Sequence, residues 1–68
     1  MMTDREKIEV QSMISNLLEI PSDNVGFIPS PEEGNDNVLY MIRTEDEDIM
    51  LVIDEVPAPY EIIEAIES

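Results

Sequence analysis

The chain has no cysteine, no histidine and no tryptophan, and only three of its 68 residues are basic. Without cysteine there is neither a disulfide framework nor a thiol nucleophile, and without histidine the commonest general base is missing. Its two glycines, Gly26 and Gly34, stand alone, so no glycine-rich phosphate loop with a following lysine exists. No stretch follows the Asp-x-Asp-x-Asp-Gly pattern of a calcium loop with its distal Glu. The longest apolar runs are five residues, against the roughly 20 that a membrane-spanning helix needs. Paired carboxylates are the one catalytic chemistry left, and they need a substrate cleft that separates their proton affinities, for which so short a chain has little room. These absences predict a protein that is not an enzyme and that takes no cofactor or metal.

What the chain has is acid. Seventeen Asp and Glu give a formal net charge of −14. A domain of this length has a radius of gyration of roughly 11 Å, hence a diameter of about 28 Å. Duplex DNA of that length carries roughly 16 charges at one per ~1.7 Å, so the charge is DNA-like in linear density. Self-repulsion of this size destabilises a compact state and has to be offset by packing or counterions. Even so, 43% of the residues are hydrophobic, and Leu, Ile, Val and Phe make up 20 of the 68. That is enough for the chain to fold rather than remain disordered. Its length supports one domain, residues 1–68, with a marginal core. Acidic Thr3-Asp4 stands where a secretory signal would carry basic residues, which predicts the cytoplasm. Anionic lipid and nucleic acid would both be repelled, so neither a membrane nor a nucleic acid is expected as a direct partner.

Thr3-Asp4-Arg5-Glu6 reads as a capping box that opens a helix. Val10, Met13, Ile14, Leu17 and Leu18 recur along one helical face, and Pro21 ends the helix because it disfavours helical geometry at Ile20. Residues 21–37 are rich in turn formers, interrupted by Val25-Gly26-Phe27-Ile28, which suits a short edge strand. Val38–Ile42 and Ile49–Ile53 are matched apolar runs separated by six mostly charged positions, the pattern of an antiparallel hairpin. Neither run alternates, so both faces of the hairpin require cover. The C-terminus offers the second cover, since Pro59 suits a first helical turn and Tyr60, Ile63 and Ile66 follow at helical spacing. The expected fold is therefore a small α+β domain of order α-β-β-β-α. Apolar area left bare by so short a helix would become an interface with another copy or another protein.

Two sets of acids stand out. Glu45, Asp46, Glu47 and Asp48 cross the hairpin tip with no basic residue among them. They read equally as a solvated loop or as a phosphate-mimicking patch offered to a basic groove. Glu61, Glu64 and Glu67 step along the terminal helix as a stripe of like charge, and no Lys or Arg follows Arg43 to compensate it. Repulsion within these sets predicts higher stability in salt.

Short stretches resemble known small acidic proteins. Ile14–Val25 has a likeness to the first helix and loop of acyl carrier proteins, but no serine in an Asp-Ser-Leu setting follows it. Ile14-Ser15-Asn16-Leu17-Leu18-Glu19-Ile20-Pro21-Ser22-Asp23 resembles the opening helix and proline exit of the staphylococcal uracil-DNA glycosylase inhibitors. Glu45–Val52, followed by Pro57-Ala58-Pro59-Tyr60, resembles the acidic loop, apolar strand and proline-tyrosine exit of the phage-type inhibitor of the same enzyme. Members of that family imitate DNA, using a Glu-Ser-Ile strand in the enzyme's DNA-binding cleft and an apolar pocket around the leucine that the enzyme inserts into DNA. This chain has no Glu-Ser-Ile, and Ser30-Pro31-Glu32-Glu33 is its nearest stretch. By resemblance, Glu32 and Glu33 would be phosphate mimics, and Phe27, Ile28 and Met41 would line the apolar pocket.

The combined expectation is an acidic DNA mimic carried by a phage or mobile element and acting in the host cytoplasm. Its partner would be a DNA-binding protein, foremost uracil-DNA glycosylase, held through Glu32, Glu33, Glu45, Asp46, Glu47, Asp48, Glu61 and Glu64. Another DNA-directed enzyme, such as a nuclease or CRISPR effector, is an alternative target. The competing class is an assembly module that forms a homodimer, or docks as a subunit, through the apolar hairpin.

Overall fold

The computed structural model of the chain describes residues 2–67. Thr3 caps the first helix, α1 (Asp4–Leu18): its Oγ1 accepts from the Glu6 amide at 3.1 Å, while its own amide donates to Glu6 Oε1 at 2.9 Å. The helix stops at Leu18, before the proline acts on Ile20. Glu19 closes it in the left-handed region at φ 56°, and the Ile20 amide donates back to the Ser15 carbonyl. A single 3-10 turn (Ser22–Asn24) then leads into β1 (Val25–Pro29), which pairs antiparallel with β2 (Val38–Arg43). β2 pairs in turn with β3 (Asp48–Ile53), giving a three-stranded meander in the order β1-β2-β3. The chain closes with α2 (Pro59–Glu67), so the α-β-β-β-α order expected from the sequence is the fold.

Cross-strand register assigns each residue a face. Val25 and Phe27 of β1, Val38, Tyr40 and Ile42 of β2, and Ile49, Leu51 and Ile53 of β3 share the inner face. That face is buried against Val10 and Ile14 of α1, Ile62 of α2 and Met2, which form one core with them. Side-chain hydrogen bonds to backbone fix how the layers sit. Gln11 Nε2 donates to the carbonyls of Ser22 and Val25, and Asn24 Nδ2 donates to the Arg43 carbonyl. The Tyr40 hydroxyl, on the central strand, donates to the Lys7 carbonyl.

One expectation is overturned. The second helix does not cover the second face of the sheet, because α2 packs beside α1 and against β3 on the face that α1 already covers. The anchor is Ile62, at 2% exposure, with Ile66 packed against the core four residues later, whereas Tyr60 is 64% exposed and Ile63 is also exposed. A four-residue step aligns side chains on a helix better than repeated three-residue steps do. The chain leaves β3 at Ile53 and enters α2 at Pro59, so the short helix is delivered to one edge of the sheet rather than across its far face.

Candidate protein-binding surface

With both helices on one side, the outer face of the sheet is bare. Its residues form cross-strand rows: Ile28, Leu39 and Val52 in one, and Gly26, Met41 and Met50 in the next. Ile28, Val52 and Met50 are 51%, 67% and 68% exposed, and Leu39 and Met41 on the central strand are half-buried. Gly26 puts no side chain over the second row, and the Met41 Cε lies 3.7 Å from where its Cβ would stand. An open hollow of about 390 Å³ results, lined by Gly26, Met41 and Met50 and bounded by Asp23, Arg43 and Asp48.

Acids close both ends of this face. At one end the hairpin tip carries Glu45, Asp46, Glu47 and Asp48, joined by Asp23 from the 3-10 turn that precedes β1. Thr44 shapes that tip: its Oγ1 donates to the Glu47 carbonyl at 2.7 Å and accepts from the Glu47 amide at 3.0 Å. Asp48 already belongs to β3 and stands opposite Arg43. At the other end Glu32, Glu33 and Asp36, from the loop between β1 and β2, surround an open depression with Asp54 and Glu55 from the end of β3. That loop is ordered by its own side chains. Ser30 Oγ accepts from the Glu32 amide, Asn35 Oδ1 accepts from the Asn37 amide, and Gly34 supplies the left-handed turn at φ 80°. Asp36, Asp54 and Glu55 escaped the sequence reading because antiparallel pairing, invisible in one dimension, sets the end of β3 next to the start of β2.

The structure separates the other candidates. Ile28 and Met41 lie together on the bare face, but Phe27 faces the core, its ring centroid 5.5 Å from that of Tyr40. Glu61 and Glu64 are both exposed on α2, and Glu61 lines a hollow along the β3 edge together with Asp54, Glu55, Met50 and Val52. They are not equivalent, because Glu61 Oε1 accepts the Ala58 amide at 2.8 Å and so caps the start of its own helix. Compensation is sparse. The one ion pair among the described residues joins Lys7 to Asp4 at 3.5 Å within α1. No group of three or more acids among the described residues converges as a metal site, and no helix among them is long and apolar enough to cross a membrane. Comparison with protein-family models, curated proteins and solved structures found no match to the chain.

Proposed function

We propose that the chain is a non-enzymatic DNA mimic that binds a DNA-binding enzyme and inhibits it by occupying the DNA-binding cleft. The observation that carries this reading is the pair of acidic clusters at opposite ends of one exposed sheet face. A molecule 34 Å long with a net charge of −14 compares with about 20 charges on the same length of duplex. Such a surface would steer a basic cleft toward itself, with an association rate that falls as salt rises. Uracil-DNA glycosylase is the first target to test, on the resemblance carried by Ile14–Asp23, Glu45–Val52 and Pro57–Tyr60; nucleases and CRISPR effectors are the alternatives.

The test is a uracil-excision assay with purified chain and bacterial uracil-DNA glycosylase, accompanied by capture from bacterial lysate with elution by duplex DNA. Stoichiometric inhibition relieved by charge reversal at Glu32 and Glu33 or at Glu45–Asp48 supports the reading. Full excision activity, together with capture of no DNA-displaceable protein, would overturn it. The bare apolar face favours a second reading, in which the chain is an assembly module; that reading expects binding insensitive to DNA and lost on polar substitution of the face.

A further inference from the structure

We infer that the bare face of the sheet is a seat for a single amphipathic helix of a partner protein, apolar along one side and basic at both ends. Contiguous exposed apolar area rimmed by polar groups marks an interaction site, and here the dimensions and the charge select the occupant. Three strands spaced ~4.8 Å apart make a face about 10 Å across, the width of one helix. Along the strands, six residues at ~3.4 Å span about 17 Å from one acidic end to the other, which a helix covers in about 11 residues. The Gly26–Met41–Met50 row, recessed for want of a side chain at Gly26, takes a large apolar residue near the middle of that helix.

Charge decides against a second copy of the chain. Two copies stacked through these faces would set acid against acid at both ends in either orientation, because both ends are acidic and Arg43 is the one basic residue on either rim. A helix with Lys or Arg in its first and last turns instead meets Glu32 and Asp54 at one end and Asp46 and Asp48 at the other. The inference rests on the proposed function only in taking the partner to be basic. The face, its width and its acidic ends do not depend on which enzyme, if any, the chain inhibits.

The test uses the full chain and synthetic 14-residue helical peptides, followed by amide and methyl NMR shifts at low ionic strength. One set carries apolar residues at i, i+3, i+4 and i+7 with two arginines at each end. A second has the same composition in scrambled order, and a third has glutamates in place of the arginines. The inference expects shifts at Ile28, Leu39, Met41, Met50 and Val52 with the first set alone, and at least tenfold weaker binding on Met50→Glu or on Val52→Glu. Gly26→Val, which fills the recess without adding charge, should weaken binding while leaving the far-ultraviolet spectrum and denaturation midpoint of the chain intact. Equal binding of the scrambled set, no binding of the first set, or a concentration-dependent dimer in sedimentation that buries this face would each overturn it. Peptide binding without enzyme inhibition would leave the inference standing and remove the proposed function; inhibition without peptide binding would do the reverse.

Discussion

The Tyr40 hydroxyl donates a 2.8 Å hydrogen bond to the Lys7 carbonyl, tying the central strand to the first half of α1 through the core. Burial pushes this phenol up from 10.0 to about 12, because the ionised form would lose its hydration. The neutral form is therefore favoured by folding, and its contribution is fully present below pH 10 and lost as the pH rises from 10 through about 12. At 1.36 kcal/mol per unit the loss approaches about 3 kcal/mol. Denaturant midpoints between pH 8 and 12 should fall over that window. Tyr40→Phe should cost about 1 kcal/mol at neutral pH and flatten the decline, while Tyr60→Phe, at an exposed position, should retain it.

Glu19 stands in the left-handed region at φ 56°, where helix ends ordinarily place glycine. A side chain there costs roughly 1 kcal/mol. Glu19→Gly should therefore raise unfolding stability by about that amount in thermal or denaturant melts, whereas Glu19→Gln, which removes the same charge and keeps the side chain, should gain much less. Equal gains from the two variants would assign the effect to charge.

How much of this was legible in the sequence depended on how local each signal was. The Thr3–Glu6 cap, the paired runs 38–42 and 49–53 and the strand at Val25 are decided within a few residues, and the structure forms all of them. Residues 21–37 were opaque apart from the strand suggested at Val25, and the order of 30–37 comes from Ser30 and Asn35 bonding to nearby backbone, an arrangement that composition signals only as a loop. The side that α2 covers was misread for a different reason. Strands apolar on both faces contain no pattern to say which face stays bare, and only the short connection from Ile53 to Pro59 decides it. The acidic surface was half visible: Glu32, Glu33 and the hairpin tip stand out as runs, while Asp36, Asp54 and Glu55 join them only through pairing.

The 17 acids face three bases, and one ion pair holds among the described residues. Net repulsion of that kind is screened over about 10 Å at 0.1 M salt, so the denaturation midpoint should rise between 10 mM and 500 mM sodium chloride. Equal midpoints at the two salt levels would mean that the acids are spread widely enough not to oppose folding.

Glu61 and Glu64 look alike in the sequence, yet the structure gives them different work. Glu61 accepts the Ala58 amide at the start of α2, a cap that Glu64, one turn further along, is not placed to make. Glu61→Lys should lower stability by about 0.5–1 kcal/mol through the lost cap, while Glu64→Lys should leave stability unchanged or raise it slightly by adding a positive charge to an acidic helix. Loss of partner binding in Glu64→Lys therefore reports the surface directly, and the same loss in Glu61→Lys has to be corrected for unfolding before it is read.

The two faces of the sheet should answer mutation in opposite ways. Ile14 and Ile42 are fully buried, and truncating either to alanine should destabilise the chain by about 2–5 kcal/mol through lost burial and the cavity left behind. Met50 and Val52 are mostly in solvent on the outer face, so Met50→Gln and Val52→Thr remove little burial, and stability should change by less than about 0.5 kcal/mol. Natural selection for solubility alone would favour polar residues there, because an exposed apolar strand at the edge of a sheet invites aggregation. If these polar variants fold with unchanged midpoints and reduced partner binding, the apolar face is kept for recognition. A drop of several kcal/mol would instead mean that the face is covered in the folded protein, and the description of the sheet as open on one side would be wrong.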